Sequence, residues 1–132
     1  MNRRGQTLIE STLATVVILV LLVATVDFVQ VVYLHQALAE HVRSTARWAA
    51  VRPVEIDRVR DRLLFGGDRN RTPVLGLQPS NIAVDHVDAG TDHERLRLAI
   101  VNYEFRLLTP GLAGSFRQAE VAFEMVPVEW RP

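Results

Sequence analysis

Gly5-Gln6-Thr7-Leu8-Ile9-Glu10 is the stretch that decides the fold, because a long apolar segment begins within it and continues directly after it. No residue from Leu13 to Val26 is charged, and most of these side chains are Val, Leu, Ile or Ala. A carboxylate at the edge of such a segment is costly to insert into a membrane unless it finds a partner. Glu10 is therefore predicted to be a working part of the segment.

The apolar segment is long enough to cross a bilayer. A membrane-spanning helix needs about 20 mostly apolar residues, and Leu8 to Leu34 supplies them, interrupted late by Asp27 and Gln30. A secretory signal peptide has an apolar core of only about 7–15 residues, so release of a soluble domain after Ala37-Leu38-Ala39 is the weaker alternative. A core helix of a soluble protein does not fit, because the run is apolar on every face.

Charge at the two ends of the span predicts its orientation. Arg3 and Arg4 precede it without an acidic neighbour, which places the N-terminus in the cytoplasm. The C-terminal part is expected on the periplasmic or extracellular side. Asp27 lies about 26 Å from Glu10 along a helix. We interpret it either as an interfacial carboxylate that reaches water or as an intramembrane contact inside an assembled bundle of helices.

The helix is predicted to continue beyond the membrane, from about Thr7 to Val51, and to end before Pro53. Its second half is amphipathic, with apolar or small residues at three- and four-residue steps: Leu34, Leu38, Val42, Thr45 and Ala49. A second, short helix is predicted from Val54 to Phe65, ended by Gly66-Gly67.

Three strands are predicted after this helical part, at Ile82 to Val87, Arg95 to Leu107 and Glu120 to Pro127. In the second strand the apolar positions change face after Ile100, which indicates a bulge or a strand covered on both faces. In the third, Val121, Phe123 and Met125 alternate. The fold class is therefore α+β: a long N-terminal helix, transmembrane in its first half, packed on a small head with a three-stranded antiparallel sheet.

The order of basic residues, glycine, neutral residues, glutamate and apolar helix resembles the N-terminal signal of type IV prepilins and pseudopilins. With the Ala-rich helix and the small head, the chain resembles the TadE-like pilus assembly proteins, the minor pseudopilins of Tad (Flp) systems. Asp27-Phe28 occupies the place of that family's acidic-aromatic pair late in the span. Val101 to Phe105, followed by Leu108 to Leu112, is similar to its strand-then-proline segment.

The resemblance implies cleavage after Gly5 by a prepilin peptidase, with Arg3 and Arg4 holding the leader at the membrane. The new N-terminus would be Gln6, where the classical families have Phe or Met, and Glu10 would be the fifth mature residue. The chain then divides into a leader (1–5), a transmembrane helix (6–34), an amphipathic extension (35–52) and a small α+β head (53–132).

The resemblance also implies a role in pilus biogenesis without chemistry or a cofactor of its own. The expected partners are the prepilin peptidase, other pilins and minor pseudopilins, the inner-membrane pilus assembly platform and membrane lipid. In a staggered bundle, Glu10 can approach the amine of Gln6 on a neighbouring subunit, because burying such a pair costs less than burying either charge alone. The alternative is an uncleaved single-pass anchor that displays a periplasmic protein-binding domain.

Other groups of residues point to weaker hypotheses. His86, Asp88, Asp92 and His93 lie near one hairpin, but their spacing fits no known metal loop, so a solvated hairpin is favoured. The arginines between residues 58 and 71 alternate with aspartates and the net charge is +0, which argues against nucleic-acid binding. No motif of an enzyme active site is present, and there is no cysteine for a thiolate metal site.

Overall fold

The computed structural model describes residues 3–51, 55–67, 71–89, 91, 94–107 and 115–127. The elements are two helices, α1 (Arg3–Ala50) and α2 (Ile56–Phe65), and three strands, β1 (Ile82–Val87), β2 (Arg95–Arg106) and β3 (Ser115–Pro127). Two short 3₁₀ turns, Val74–Gly76 and Pro79–Asn81, precede β1. The predicted α+β class is confirmed: a long apolar N-terminal helix carries a small head with a three-stranded antiparallel sheet.

Helix α1 contains 48 residues and is therefore about 72 Å long. It begins at Arg3, earlier than the predicted start at Thr7, so residues 3–5 of the predicted leader are helical. It ends at Ala50, one residue before the predicted Val51. Pro53, which was predicted to end it, lies outside the described residues.

The second half of α1 packs on the head through the apolar face that the sequence predicts, a stripe of residues that begins at Leu34. Leu38 and Val42 are fully buried, and Leu34 is partly buried against the same core. The remaining buried positions continue at helical spacing: Thr45, Ala46 and Ala49. Small side chains at the end of this stripe let the sheet approach the helix closely, and β3 makes the most extensive contact with it.

Helix α2 lies against α1 through one apolar face. Val59 and Leu63 are fully buried, as predicted, and Ile56 is partly buried. Gly66 ends the helix at φ +65°, and its N–H donates a 2.7 Å hydrogen bond to the Arg62 carbonyl oxygen. A left-handed residue at this position closes the last turn, and glycine adopts it without strain. Val54, the predicted first residue, lies outside the described residues.

The sheet has the order β1-β2-β3, and both pairs are antiparallel. The predicted bulge is present in the pairing of β2 with β3. Ile100 pairs with Ala122, but Val101 pairs with Glu120, so Val121 is the extra residue. Asn102 adopts a left-handed φ of +52° beside this point. As a result Ile100 before the bulge and Tyr103 after it are both buried in one core.

Strand β3 is longer than predicted, because it begins at Ser115 rather than at Glu120. The predicted alternation is wrong as a guide to burial. Val121 is buried, whereas Phe123 and Met125 lie on the opposite, solvent-facing side with 54% and 42% of their surfaces exposed. The reason is the bulge, which turns Val121 towards the core and leaves the following odd-numbered residues outside.

Candidate functional site

The predicted cleavage bond lies in the first turns of α1. Gly5 is helical and exposed, and a Cβ atom built on it would meet no heavy atom within 4 Å. Cleavage after Gly5 requires at least one turn of helix to open, and a glycine in a helix lowers the cost of opening by about 1 kcal/mol relative to alanine. The side chains of Arg3 and Arg4 lie outside the described part of the chain.

Glu10 is exposed on the outer surface of α1, between the exposed side chains of Leu8, Ile9 and Leu13. In the part of the chain that the structure describes, it forms no ion pair. A carboxylate in such apolar surroundings is stable in a bilayer only when it reaches water or meets a positive group of another molecule. The geometry therefore leaves Glu10 available to a neighbouring molecule.

Three threonine hydroxyl groups in the apolar half of α1 form hydrogen bonds within the helix. Each donates to the carbonyl oxygen four residues earlier at 2.8 Å: Thr12 to Leu8, Thr15 to Ser11 and Thr25 to Leu21. These three threonine hydroxyls therefore do not require water as a hydrogen-bond acceptor, which suits a helix surrounded by lipid.

Asp27 is buried within its own chain. It is 5% exposed, whereas the adjacent Val26 and Phe28 are 46% and 68% exposed. The Asp27 side chain also interacts with another group of the chain. Its burial is at odds with the interpretation of a carboxylate that reaches water.

The exposed apolar section of α1 runs from Leu8 to Val26, about 28 Å of helix. This length matches the hydrocarbon core of a bilayer, about 30 Å, and by length and composition α1 is able to cross a membrane. Val31 and Leu34 already pack against the head. On the opposite side of the helix, apolar side chains stay exposed as far as Tyr33.

The head is fixed to α1 at its far end by polar contacts as well as by the core. Nε2 of His41 lies 2.8 Å from the Leu63 carbonyl oxygen; because a carbonyl only accepts, this nitrogen carries the proton. The Arg62 guanidinium lies 4.6 Å from the centre of the Trp48 ring. Such contacts hold α2 at one angle to α1, so the head and the helix are expected to move together.

At the end of the head nearest the apolar section of α1, side-chain hydrogen bonds hold the backbone segments that line a polar cavity. Tyr103 Oη donates to the Leu75 carbonyl oxygen at 2.7 Å. Asn81 Nδ2 donates to the carbonyl oxygens of Val101 and Asn102, at 3.1 and 3.0 Å. Burial raises the pKa of the Tyr103 phenol, and the nearby Arg106 charge opposes this only in part. Sequence reasoning gave Asn81 no role, since an asparagine before a strand is also an ordinary turn residue.

The hypotheses of a metal site at the hairpin and of nucleic-acid binding by the arginines between residues 58 and 71 gain no support. Among the described residues no three His, Asp or Glu side chains are grouped to hold a metal. His86 Nδ1 instead lies 2.7 Å from a Glu94 oxygen, and Asp92 and His93 lie outside the described residues. The predicted mixing of charges is seen where Arg71 pairs with Asp61 at 3.0 Å.

Comparison with known proteins supports the resemblance that the sequence suggested. A family model described as TadE-like protein matches residues 5–47. No curated protein and no solved structure matches the chain. The matched region contains the apolar section of α1, the buried Asp27 and most of the stripe that packs on the head. Together with the apolar helix, the match fits a membrane protein associated with a Tad pilus.

Proposed function

We propose that this chain, whose residues 5–47 are TadE-like, is a minor pseudopilin-like membrane protein. It acts in assembly of a Tad/Flp-type pilus or a related secretion apparatus. The observation that carries the proposal is the coincidence of two features in one helix. The family match covers an apolar section with the length of a bilayer, and the same helix then becomes the spine of a small head. Such a subunit can sit in the membrane by its first half and pack with other subunits.

We place the N-terminus in the cytoplasm and the head on the periplasmic or extracellular side of the inner membrane. Arg3 and Arg4 favour this orientation, since basic residues next to a span are retained on the cytoplasmic side. Their attraction to anionic lipid is worth about 1 kcal/mol each. Cleavage after Gly5 by a prepilin peptidase then occurs on the cytoplasmic side and leaves the membrane helix and head intact.

Glu10 would be the assembly residue of the processed protein. After cleavage, the amine of Gln6 lies about one helical turn before Glu10. In a staggered bundle of pilins and minor pseudopilins, the carboxylate of one subunit reaches the amine of the next. An unpaired charge in lipid is expensive. Association is therefore most favourable when the neighbouring subunit lies at the one height along the bundle that pairs the carboxylate with the amine. Its exposure and its apolar surroundings support this role.

The test is the N-terminal sequence of the membrane-bound protein from cells with and without the prepilin peptidase. A start at Gln6 that depends on the peptidase is expected. Gly5→Val should block the cleavage, because a β-branched side chain then occupies the cleavage position, while Ala14→Val, deeper in the same helix, should be cleaved normally. An uncleaved Met1 start in both strains would overturn the proposed processing.

The second candidate function is an uncleaved single-pass anchor that displays the head to a protein partner. One observation favours it: α1 continues without a break from Arg3 across the Gly5–Gln6 bond. The same N-terminal sequencing separates the two candidates. For the anchor, substitution of Glu10 should leave the localisation and the partner binding of the head unchanged.

A further inference from the structure

A polar cavity of about 660 Å³ lies where the head meets the outer end of the apolar helix. Gln30 of α1 contributes to one side of it. The head contributes the other side through amide and charged side chains: Gln78, Asn81, Asn102, Glu104, Arg106 and Arg117. The hydrogen bonds of Asn81 to the β2 backbone hold this part of the wall in place. The cavity is therefore built by three parts of the fold rather than by one loop.

The charge of the cavity is positive. Its lining contains two arginines, Arg106 and Arg117, and one carboxylate, Glu104. Within the described part of the chain neither arginine forms an ion pair. Glu104 stands opposite Arg117 in the β2–β3 register and weakens the field without cancelling it. Guanidinium groups bind phosphate oxygens through two parallel hydrogen bonds, and amide side chains add neutral donors.

The position of the cavity along α1 gives the depth at which it would lie in a membrane. Gln30 is four residues beyond Val26, which directly precedes Asp27, the first buried residue among the described residues of α1, hence about 6 Å further along the helix. The headgroup layer on each side of the hydrocarbon core is about 5–7 Å thick. Tyr33, which is largely exposed, lies about 4.5 Å beyond Gln30 along the helix, and tyrosine is enriched at membrane interfaces. The cavity thus opens at the height of lipid phosphates.

We propose that this cavity binds the phosphate of an anionic phospholipid in the leaflet next to the head. The inference rests on the membrane anchoring proposed above but not on the pilus role. Arg106 and Arg117 bind the phosphate. The asparagine and glutamine side chains form hydrogen bonds, as donors or acceptors, with the uncharged part of the headgroup. A zwitterionic choline lipid brings its own cation close to the two arginines and binds less well. The bound lipid fixes the height and rotation of the head relative to the membrane.

The experiment uses the full chain in detergent, with lipid binding measured by native mass spectrometry. Dioleoylphosphatidylglycerol is titrated in parallel with dioleoylphosphatidylcholine, and inorganic phosphate is added as a competitor. We expect one tightly held phosphatidylglycerol per chain. Its affinity should fall about tenfold in the double variant Arg106→Gln/Arg117→Gln, because charge-assisted hydrogen bonds are lost. Glu104→Gln should raise the affinity severalfold, an effect that a misfolded head cannot produce.

Arg60→Gln, on the exposed part of α2, is the matched control and should bind like the wild type. Equal binding of the two lipids, or affinity unchanged in the double variant and in Glu104→Gln, would overturn the proposal. Displacement of the lipid by millimolar inorganic phosphate would identify a site for free phosphate instead. Incorporation into lipid nanodiscs is measured separately. A chain that inserts without lipid preference retains its anchor and loses only this site, whereas a chain that does not insert contradicts the anchoring itself.

Discussion

Tyr103 Oη donates a 2.7 Å hydrogen bond to the carbonyl oxygen of Leu75, a residue held at a left-handed φ of +51°. A leucine in this conformation is strained by roughly 1–2 kcal/mol. The strain persists because the surrounding structure holds the turn, and the tyrosine is one of the groups that hold it. Strand β2 therefore fixes a turn that forms one wall of the polar cavity.

Tyr103→Phe is predicted to lower the free energy of unfolding by about 1 kcal/mol, because the hydrogen bond is lost while the packing of the ring is kept. Urea unfolding of the detergent-solubilised chain, followed by circular dichroism, measures this. Tyr33→Phe is the control, since Tyr33 is 66% exposed on α1 and its substitution should change stability by less than about 0.5 kcal/mol. Equal effects of the two substitutions would show that the Leu75 contact does not stabilise the turn.

The same tyrosine predicts a loss of stability at alkaline pH. Burial raises the folded-state pKa of Tyr103, with Arg106 opposing it in part. A raised folded pKa stabilises the protein fully below the unfolded pKa, about 10 for tyrosine. This stabilisation is lost as the pH rises through the folded value. Unfolding free energies measured from about pH 8 upwards should fall in the alkaline window, and Tyr103→Phe should flatten that fall. Parallel curves for the two proteins would contradict the assignment.

Asn81 is predicted to be the main polar support of β2 where it pairs with the bulge of β3. Its Nδ2 donates to Val101 and Asn102 beside the change of register, and its Oδ1 accepts from the Gln78 N–H at 2.9 Å. Asn81→Ala should cost about 2 kcal/mol, because two carbonyl oxygens lose their donor. Thermal unfolding of the variant measures the effect.

Asn81→Asp sharpens this test. The aspartate keeps the acceptor for Gln78 but turns a carboxylate oxygen towards two carbonyl oxygens. It should therefore destabilise the protein at least as much as Asn81→Ala. Ser80→Ala, at the exposed neighbouring position, should be nearly neutral. A variant Asn81→Asp as stable as the wild type would show that the two donor bonds are unimportant.

The parts of the fold that follow from local periodicity could be predicted. The stripe that includes Leu38 and Val42 repeats with the period of a helix, and burial of that stripe requires only that something apolar pack on it. The apolar section before it is long and uncharged enough to be recognised by composition. The alternation of Leu96, Leu98 and Ile100 likewise gives one face of a strand, and these three residues are buried.

The features that depend on tertiary contacts could not be predicted. From its sequence position Asp27 resembles any interfacial carboxylate, and only the structure shows that it is buried. Val121, Phe123 and Met125 have the same spacing in sequence, but the extra residue at the bulge separates their faces. The left-handed conformation of Leu75 has no sequence signal, because leucine does not favour it. Asn102 does carry a weak signal, since asparagine tolerates that region best among residues with a side chain.

Asp27 is predicted to be necessary for the packing of the head on α1. A buried carboxylate is retained only where its interactions compensate for lost hydration. Its burial between two exposed neighbours indicates a specific contact. Asp27→Ala should destabilise the head by about 3 kcal/mol or more, the usual cost of breaking a buried charged contact. Phe28→Ala, one residue further on the exposed side, is the control.

Limited proteolysis in detergent distinguishes the two variants at Asp27 and Phe28. Loss of the Asp27 contact should weaken the packing of the head on α1. Proteolytic cleavage of the head is therefore expected to be faster in Asp27→Ala than in the wild type. Phe28→Ala should be cleaved at the wild-type rate, because its ring faces lipid or solvent. Equal rates in both variants would mean that Asp27 is buried without stabilising the junction.

Glu10 is predicted to govern assembly without affecting insertion. Glu10→Gln removes the charge but keeps the size of the side chain, so the helix still enters the membrane and even does so at lower cost. What is lost is the ion pair with the amine of a neighbouring processed subunit. Association with other pilins, measured by crosslinking in the membrane, should fall at least tenfold, since a buried charge pair broken on one side costs about 3 kcal/mol or more. Glu40→Gln, an exposed glutamate on the same helix beyond the span, should assemble normally. If both variants assemble like the wild type while processing after Gly5 is intact, the helix associates through its apolar surface alone and Glu10 sets neither register nor affinity.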